Sequence, residues 1–258
     1  MADVEAVRDP GVPARLTPAP EPPPTTPAAE MSLVDHLTEL RNRLVKVLIA
    51  VAIASSVGFL LGDQIVAILK APIPGDEPLY FTGIGDAFSI KLKIAIVVGI
   101  ILAMPVILWQ VWRFIAPGLT PVERRVVRPW LPLALAFFAL GTGLAYVVLP
   151  FAAGFLINFE TPDLQALITA SEYFDFVTTM FLAFGLIMEF PILLFGLSRV
   201  GIVTSQRLVA ARRMALLGIA IFAAAITPGT DMVSPIALGT TMYLLFEGTI
   251  FFIRRSGK

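Results

Sequence analysis

The chain has no cysteine and a single histidine, His36. Disulfide frameworks, thiolate metal sites and thiol nucleophiles are therefore excluded, and one imidazole leaves little for a metal site or a histidine-based catalytic centre. Charge is scarce as well. Asp, Glu, Lys and Arg make up 15% of the 258 residues and sum to a formal net charge of zero, which argues against nucleic-acid binding. No Gly-rich phosphate loop, Gly-x-Ser-x-Gly elbow or metal-ligand pair occurs. What the chain has in excess is apolar surface. Hydrophobic residues form 57% of it, more than one soluble core of this length could hide, so the class is integral membrane protein.

Residues 1–30 are a different kind of chain. The run Pro18-Ala-Pro-Glu-Pro-Pro-Pro-Thr-Thr-Pro27 can neither propagate a helix nor build a core, and reads as a disordered, partly polyproline II tail. No apolar region closely follows Arg8 or Arg15, so it is not a signal peptide. Beyond it, over 31–255, six apolar stretches stand out, to be compared with the roughly 20 residues a helix needs to cross a hydrocarbon layer. They run from about Leu44 to Leu61, Ile90 to Trp112, Trp130 to Leu149, Phe174 to Ser198, Met214 to Ile226 and Val233 to Ile253, leaving 256–258 as a C-terminal end. The fifth is confined between Arg213 and Pro228 and reaches only about 20 Å, which implies local bilayer thinning or tight packing.

Charge sorts the connections into two classes. Arg41, Arg43 and Lys46 lie before and at the start of the first span; Arg113, Arg124, Arg125 and Arg128 follow the second; Arg199, Arg207, Arg212 and Arg213 follow the fourth; Arg254, Arg255 and Lys258 end the chain. The alternate connections hold Asp63, Asp76, Glu77, Asp86, Glu160, Asp163, Glu172 and Asp231, with Lys70, Lys91 and Lys93 as their only bases. Basic loops stay cytoplasmic, so six spans with both termini inside are expected. Ser32 with Asp35 resembles a helix cap, and Leu33, Val34, Leu37, Leu40 and Leu44 form one stripe, so an amphipathic helix on the membrane surface should run into the first span.

Four acids are candidates for function, each with a structural alternative. Glu189 lies ten residues before Arg199, near the bilayer midplane, where a carboxylate must face other helices or a polar cavity. It either serves a function or hydrogen-bonds a neighbouring helix for packing alone, and Pro191 should kink its helix. Glu39 can pair with Arg43 one turn on, and Glu123 completes the capping box Thr120-Pro121-Val122-Glu123. Alternatively, both present carboxylates that could clamp guanidinium groups by bidentate bonds. Asp231, in the turn Thr227-Pro-Gly-Thr-Asp231, either caps the sixth helix or meets a partner.

These residues carry a family resemblance. His36-Leu-Thr-Glu-Leu-Arg41, Met104-Pro-Val-Ile-Leu-Trp-Gln-Val-Trp-Arg-Phe-Ile-Ala-Pro-Gly-Leu119 with Glu123-Arg-Arg125, Phe184-Gly185 leading to Glu189-Phe-Pro191, Thr227-Pro with Asp231, and Met242-Tyr-Leu-Leu-Phe-Glu247 resemble motifs of the TatC family in the right order. That family comprises receptor subunits of the twin-arginine protein translocase. The resemblance implies an all-α, concave six-helix bundle with short fifth and sixth helices. It implies binding of twin-arginine signal peptides on folded cargo and work with the single-span partners TatA and TatB. Homo-oligomerisation within that complex and transport driven by the proton-motive force follow, with no enzymatic step and no cofactor. Carried over by motif, Glu39 and Glu123 hold the arginine pair, and Phe114, Pro117, Gly118 and Leu119 shape the adjoining groove. Arg41 and Arg124 support that surface, and Glu189 faces the entering helices. Thr227, Asp231 and Ser234 supply the partner-helix contact. The chain departs from the family with Thr-Pro-Gly-Thr-Asp for the commoner Thr-Pro-Pro-Asp, and with Pro235 where a glutamine is familiar.

Two rivals remain open on sequence. A proton-coupled small-solute carrier would use Glu189, but needs several converging polar groups, and the first and last three spans show no symmetry. An intramembrane enzyme needs a nucleophile beside a base, and no His or Lys accompanies the intramembrane Ser and Thr residues.

Overall fold

Backbone in hydrocarbon has no water to bond, so each apolar stretch must satisfy its own N–H and C=O groups as a helix. The computed structural model describes residues 33–73, 79–158, 167–199, 201, 203–227 and 231–255, and at 33, 123, 126, 157 and 199 the backbone alone. The Pro-rich tail, the Ser32 cap and the end at 256–258 lie outside the described residues. Among the latter, ten α-helices come in order: α1 Leu33–Leu60, α2 Gly62–Lys70, α3 Asp86–Ile115, α4 Pro121–Val127, α5 Trp130–Ile157, α6 Ala170–Ile187, α7 Phe190–Arg199, α8 Ser205–Ala210, α9 Arg212–Ile226 and α10 Val233–Arg255. A 3-10 turn, Ala116–Gly118, joins α3 to α4. Contacts divide the chain into two units, Met1–Thr38 and Glu39–Lys258, and the packing of helix on helix lies within the second.

Among the described residues, five spans are long and apolar enough to cross a membrane: α1, α3 with its 3-10 turn, α5, α6 with α7, and α10. Helix α9, at 15 residues, is shorter than such a span; it takes in Arg212 and Arg213, and only its apolar part lies between Arg213 and Pro228. At 23 residues α10 is the shortest of the five. The amphipathic segment and the first span form one continuous helix, α1. Helix α5 runs past Pro150 to Ile157, beyond the expected end at Leu149. A proline inside a helix removes one hydrogen bond, a loss that spanning helices tolerate where neighbours re-satisfy the backbone.

Packing exploits missing side chains. A Cβ on Gly141 of α5 would lie 2.7 Å from Met188 Cγ and 2.9 Å from Gly185 Cα, and one on Gly185 would lie 2.7 Å from Phe138 Cε2. Two glycines thus let α5 and α6 approach backbone to backbone, with the Phe138 ring filling the notch. The same device joins α1 to α3, where a Cβ on Gly99 would meet Ser55 N at 2.7 Å. Helix α10 closes the other side against α7 and α9, burying Leu238, Met242, Phe246, Ile250 and Ile253.

The helix ends are tied in two groups. At the acid-rich end, Tyr80 N donates to Ile168 O (3.1 Å), Ala170 N to Tyr80 O (2.8 Å) and the Tyr173 hydroxyl to Leu69 O (2.6 Å). Lys91 pairs with Asp63 at 2.8 Å, and Lys93 pairs with Asp175. Two of the three lysines that depart from the charge sorting are therefore answered by acids. At the Arg-rich end, Trp130 stacks on Phe195 with ring centroids 3.8 Å apart. There, too, Arg212 donates to Glu247 at 2.5 Å and the Tyr243 hydroxyl donates to the other Glu247 oxygen at 3.3 Å.

Candidate functional site

Glu39 sits near the Arg-rich start of α1, one turn before Arg43. The Arg43 guanidinium donates to Glu39 Oε1 from Nε at 3.1 Å and also from Nη2, while Nη1 reaches Gln110 Oε1 on α3 at 3.4 Å. The local pair foreseen from spacing does form, and it reaches across to a second helix. Its side chains are only 22% and 13% exposed, so this is not a solvated surface pair. Gln110 lies one helical turn before Phe114, which is half-buried. Arg41 is exposed.

The corner after α3 is held by Arg124. From the first turns of α4 it donates Nε to Leu119 O and Nη2 to Pro117 O, both at 3.1 Å. A cation bridging two carbonyls fixes the Pro117–Leu119 turn. Leu119 points inward and is buried, while Gly118 is exposed. Pro121 opens α4 as the sequence requires. Glu123 belongs to this helix, and its side chain lies outside the described residues, as does any cap it makes.

Helices α6 and α7 are one apolar stretch broken at Met188–Glu189. Pro191 has no N–H to offer the carbonyl of Ile187 four residues back, so the helix cannot run through. It tightens instead: Glu189 N donates to Leu186 O, and Glu189 O accepts from Ile192 N and Leu193 N, each at 3.1 Å. The break comes two residues before the proline foreseen as a kink. It turns the Glu189 side chain inward, 6% exposed, with Oε1 buried and lacking a hydrogen-bond partner among the described residues.

That carboxyl faces a cleft of about 390 Å³ between α3, α5 and α7. Leu108, Val111, Trp112 and Ile115 of α3 form one wall; Trp130, Leu131 and Ala134 of α5 another; Ile192, Leu193, Gly196 and Leu197 of α7 the third. Gly118 and Leu119 lie at its Arg-rich end. The structure therefore brings together Gly118, Leu119 and Glu189, which lie far apart in sequence. It does not join them to Thr227, Asp231 and Ser234. Asp231 Oδ1 accepts from Ser234 N at 2.6 Å and caps α10, and the Thr227 hydroxyl bonds Ala223 O at 2.7 Å. All three are buried, and Asp231 Oδ2 and Ser234 Oγ have no hydrogen-bond partner among the described residues. Residues 228–230 of that turn lie outside the described residues. The apolar walls of the cleft and the role of Gln110 were missed by reading acids and arginines alone. Gln110 was the one detectable signal, an amide within an otherwise apolar and aromatic run.

Comparison with known proteins decides the family. The family of Sec-independent protein translocase proteins, TatC, matches residues 35–240. The chain belongs to the TatC family. It is 37% identical over 223 residues to the Sec-independent protein translocase protein TatC of Carboxydothermus hydrogenoformans, covering 86% of this chain and 92% of that one. It is 36% identical to the TatC of Escherichia coli K12, over 86% of this chain and 88% of the relative. A crystal structure of the twin arginine translocase receptor TatC superposes with a TM-score of 0.76 at 33% identity, covering 86% of this chain and 100% of that one. Another, in the detergent DDM, gives 0.75 with 84% and 99% coverage. The broken α6–α7 helix, the short α9 and the α3–α4 corner thus belong to a TatC fold.

Proposed function

We propose that this TatC-family chain is the receptor subunit of a twin-arginine translocase, binding signal peptides of folded cargo at the cytoplasmic face of the cell membrane. In this reading α9, about 22 Å long, is a sixth crossing, so both termini and the Arg-rich end face the cytoplasm. The arginine pair of a signal peptide docks against Glu39 and Glu123, displacing Arg43 from Glu39 by exchange of one fork for another. Arg124 holds the Pro117–Leu119 turn in shape beside Phe114, and Arg41 adds to the same surface. The apolar stretch of the signal peptide then follows the cleft toward Glu189. Single-span TatA- and TatB-type partners are recruited next, and passage is driven by the proton-motive force without nucleotide, cofactor or bond-making chemistry. Several copies of this chain act within the complex.

One observation carries the reading. The turn that resembles the family's recognition corner and the buried intramembrane carboxyl share a single apolar cleft. An oxygen without a partner in such a wall is costly, and a polar group on an entering helix would satisfy it. Helix α1 fits this picture, since only 6% of its apolar window is buried within the chain, against 44% for the α6–α7 span. A carrier is disfavoured because Glu189 is the one ionisable group lining that cleft among the described residues.

The test is export of a folded reporter carrying a twin-arginine signal in cells whose own TatC has been replaced by this chain. Glu39→Ala and Glu123→Ala are expected to abolish export while protein levels stay normal. Undiminished export in both variants would remove the proposed recognition site.

A further inference from the structure

A second cavity, of about 710 Å³, lies at the Arg-rich end where α3 stops and α5 starts. Trp109 and Trp112 of α3 give it an aromatic wall, and Pro129 and Pro132 flank it at the start of α5. Arg113, Arg124, Arg125 and Arg128 ring it, and no carboxylate is among the described residues that line it. Four like charges around one hollow repel each other unless an anion sits among them. A twin-arginine ligand is the wrong charge for that place, so the cavity asks for something other than the signal peptide.

We propose that it holds the phosphate headgroup of an anionic phospholipid. Guanidinium forks match phosphate oxygens in pairs, and basic pockets at the ends of spanning helices take anionic headgroups. The tryptophans sit where a spanning helix leaves the apolar layer, the level at which indoles contact both glycerol backbone and headgroup. That apolar wall favours a lipid over soluble phosphate. Arg124 already braces the carbonyls of Pro117 and Leu119, so a headgroup beside it would steady the α3–α4 corner through the same side chain. The site stands on its own lining, whether or not the receptor reading holds.

The chain has three tryptophans, so Trp130→Phe leaves Trp109 and Trp112 as the only reporters. The protein is placed in phosphatidylcholine nanodiscs doped with brominated phosphatidylglycerol or, in parallel, brominated phosphatidylcholine. Quenching by the anionic lipid is expected at a mole fraction about tenfold lower than by the neutral one. Combining Arg113→Gln, Arg125→Gln and Arg128→Gln should abolish that preference. Inorganic phosphate should have no more effect than sodium chloride of equal ionic strength. Equal quenching by the two lipids, or a preference unchanged in the triple variant, overturns the proposal. Displacement by phosphate but not by chloride also overturns it, showing a site for a soluble anion. Retention of phosphatidylglycerol over phosphatidylcholine by the unsubstituted protein in native mass spectrometry gives the same readout without Trp130→Phe.

Discussion

Replacing Arg43 by glutamine is expected to tighten binding of a twin-arginine signal peptide. In the resting chain the Arg43 guanidinium holds Glu39 Oε1, so an incoming arginine must displace it. Its worth can be bracketed. An exposed pair one helical turn apart contributes about 0.2–0.5 kcal/mol, whereas a buried hydrogen bond to a charged group contributes about 1.5–3 kcal/mol. With side chains 22% and 13% exposed, this pair falls between those limits. Removing the competitor should therefore return roughly 1 kcal/mol to the ligand, about a fivefold lower Kd. Glutamine keeps a donor for Gln110, which limits the damage to the α1–α3 contact. The assay is fluorescence anisotropy of a labelled peptide titrated with the protein in nanodiscs. An unchanged or weakened affinity in Arg43→Gln, with the fold intact, would refute the idea that Arg43 and the ligand compete for one carboxylate.

Three further outcomes are expected from the packing. Gly141→Leu drives a side chain into Met188 and the Gly185 backbone and should cost about 2–3 kcal/mol, while Gly143→Ala, with open space around it, should stay within about 0.5 kcal/mol; thermal unfolding in detergent separates the two. Asp231→Ala removes the acceptor of Ser234 N and should cost about 1 kcal/mol, most of it recovered in Asp231→Asn, which the same unfolding measurement checks. Glu189→Leu replaces a buried carboxyl oxygen without a partner by an apolar side chain in an apolar wall, so it should raise thermal stability while lowering export. A lowered melting temperature would mean that Glu189 is a packing group.

Much of the fold was legible because the bilayer sets one length scale. Six apolar stretches and the shortness of α9 come from where Arg213 and Pro228 fall. The continuity of α1 came from the stripe of Leu37, Leu40 and Leu44. What could not be read were elements without that scale: α2 and α8, of nine and six residues, carry no span-length signal. The third apolar stretch was ended at Leu149, whereas α5 runs on through Pro150 to Ile157, a proline that a packed span tolerates. At the site, Glu39, Asp231 and Pro121 were placed by local chemistry of caps and i,i+4 pairs, which sequence encodes directly. The cleft was not legible, since it is made by three helices meeting, and Leu119 and Glu189 are 70 residues apart in number. The resemblance proposed both residues separately; packing of α3, α5 and α7 makes them neighbours of one space.

At the centre stands the reading of an arginine pair by carboxylates at the Arg-rich end. Its most direct test compares binding of a twin-arginine signal peptide and its twin-lysine counterpart to the protein in nanodiscs, for the unsubstituted chain, Glu39→Ala and Glu123→Ala. Preference for arginine is expected, because lysine cannot form the two-pronged bond, with loss of that preference in both variants. Equal affinity for both peptides, indifferent to either glutamate, would contradict it.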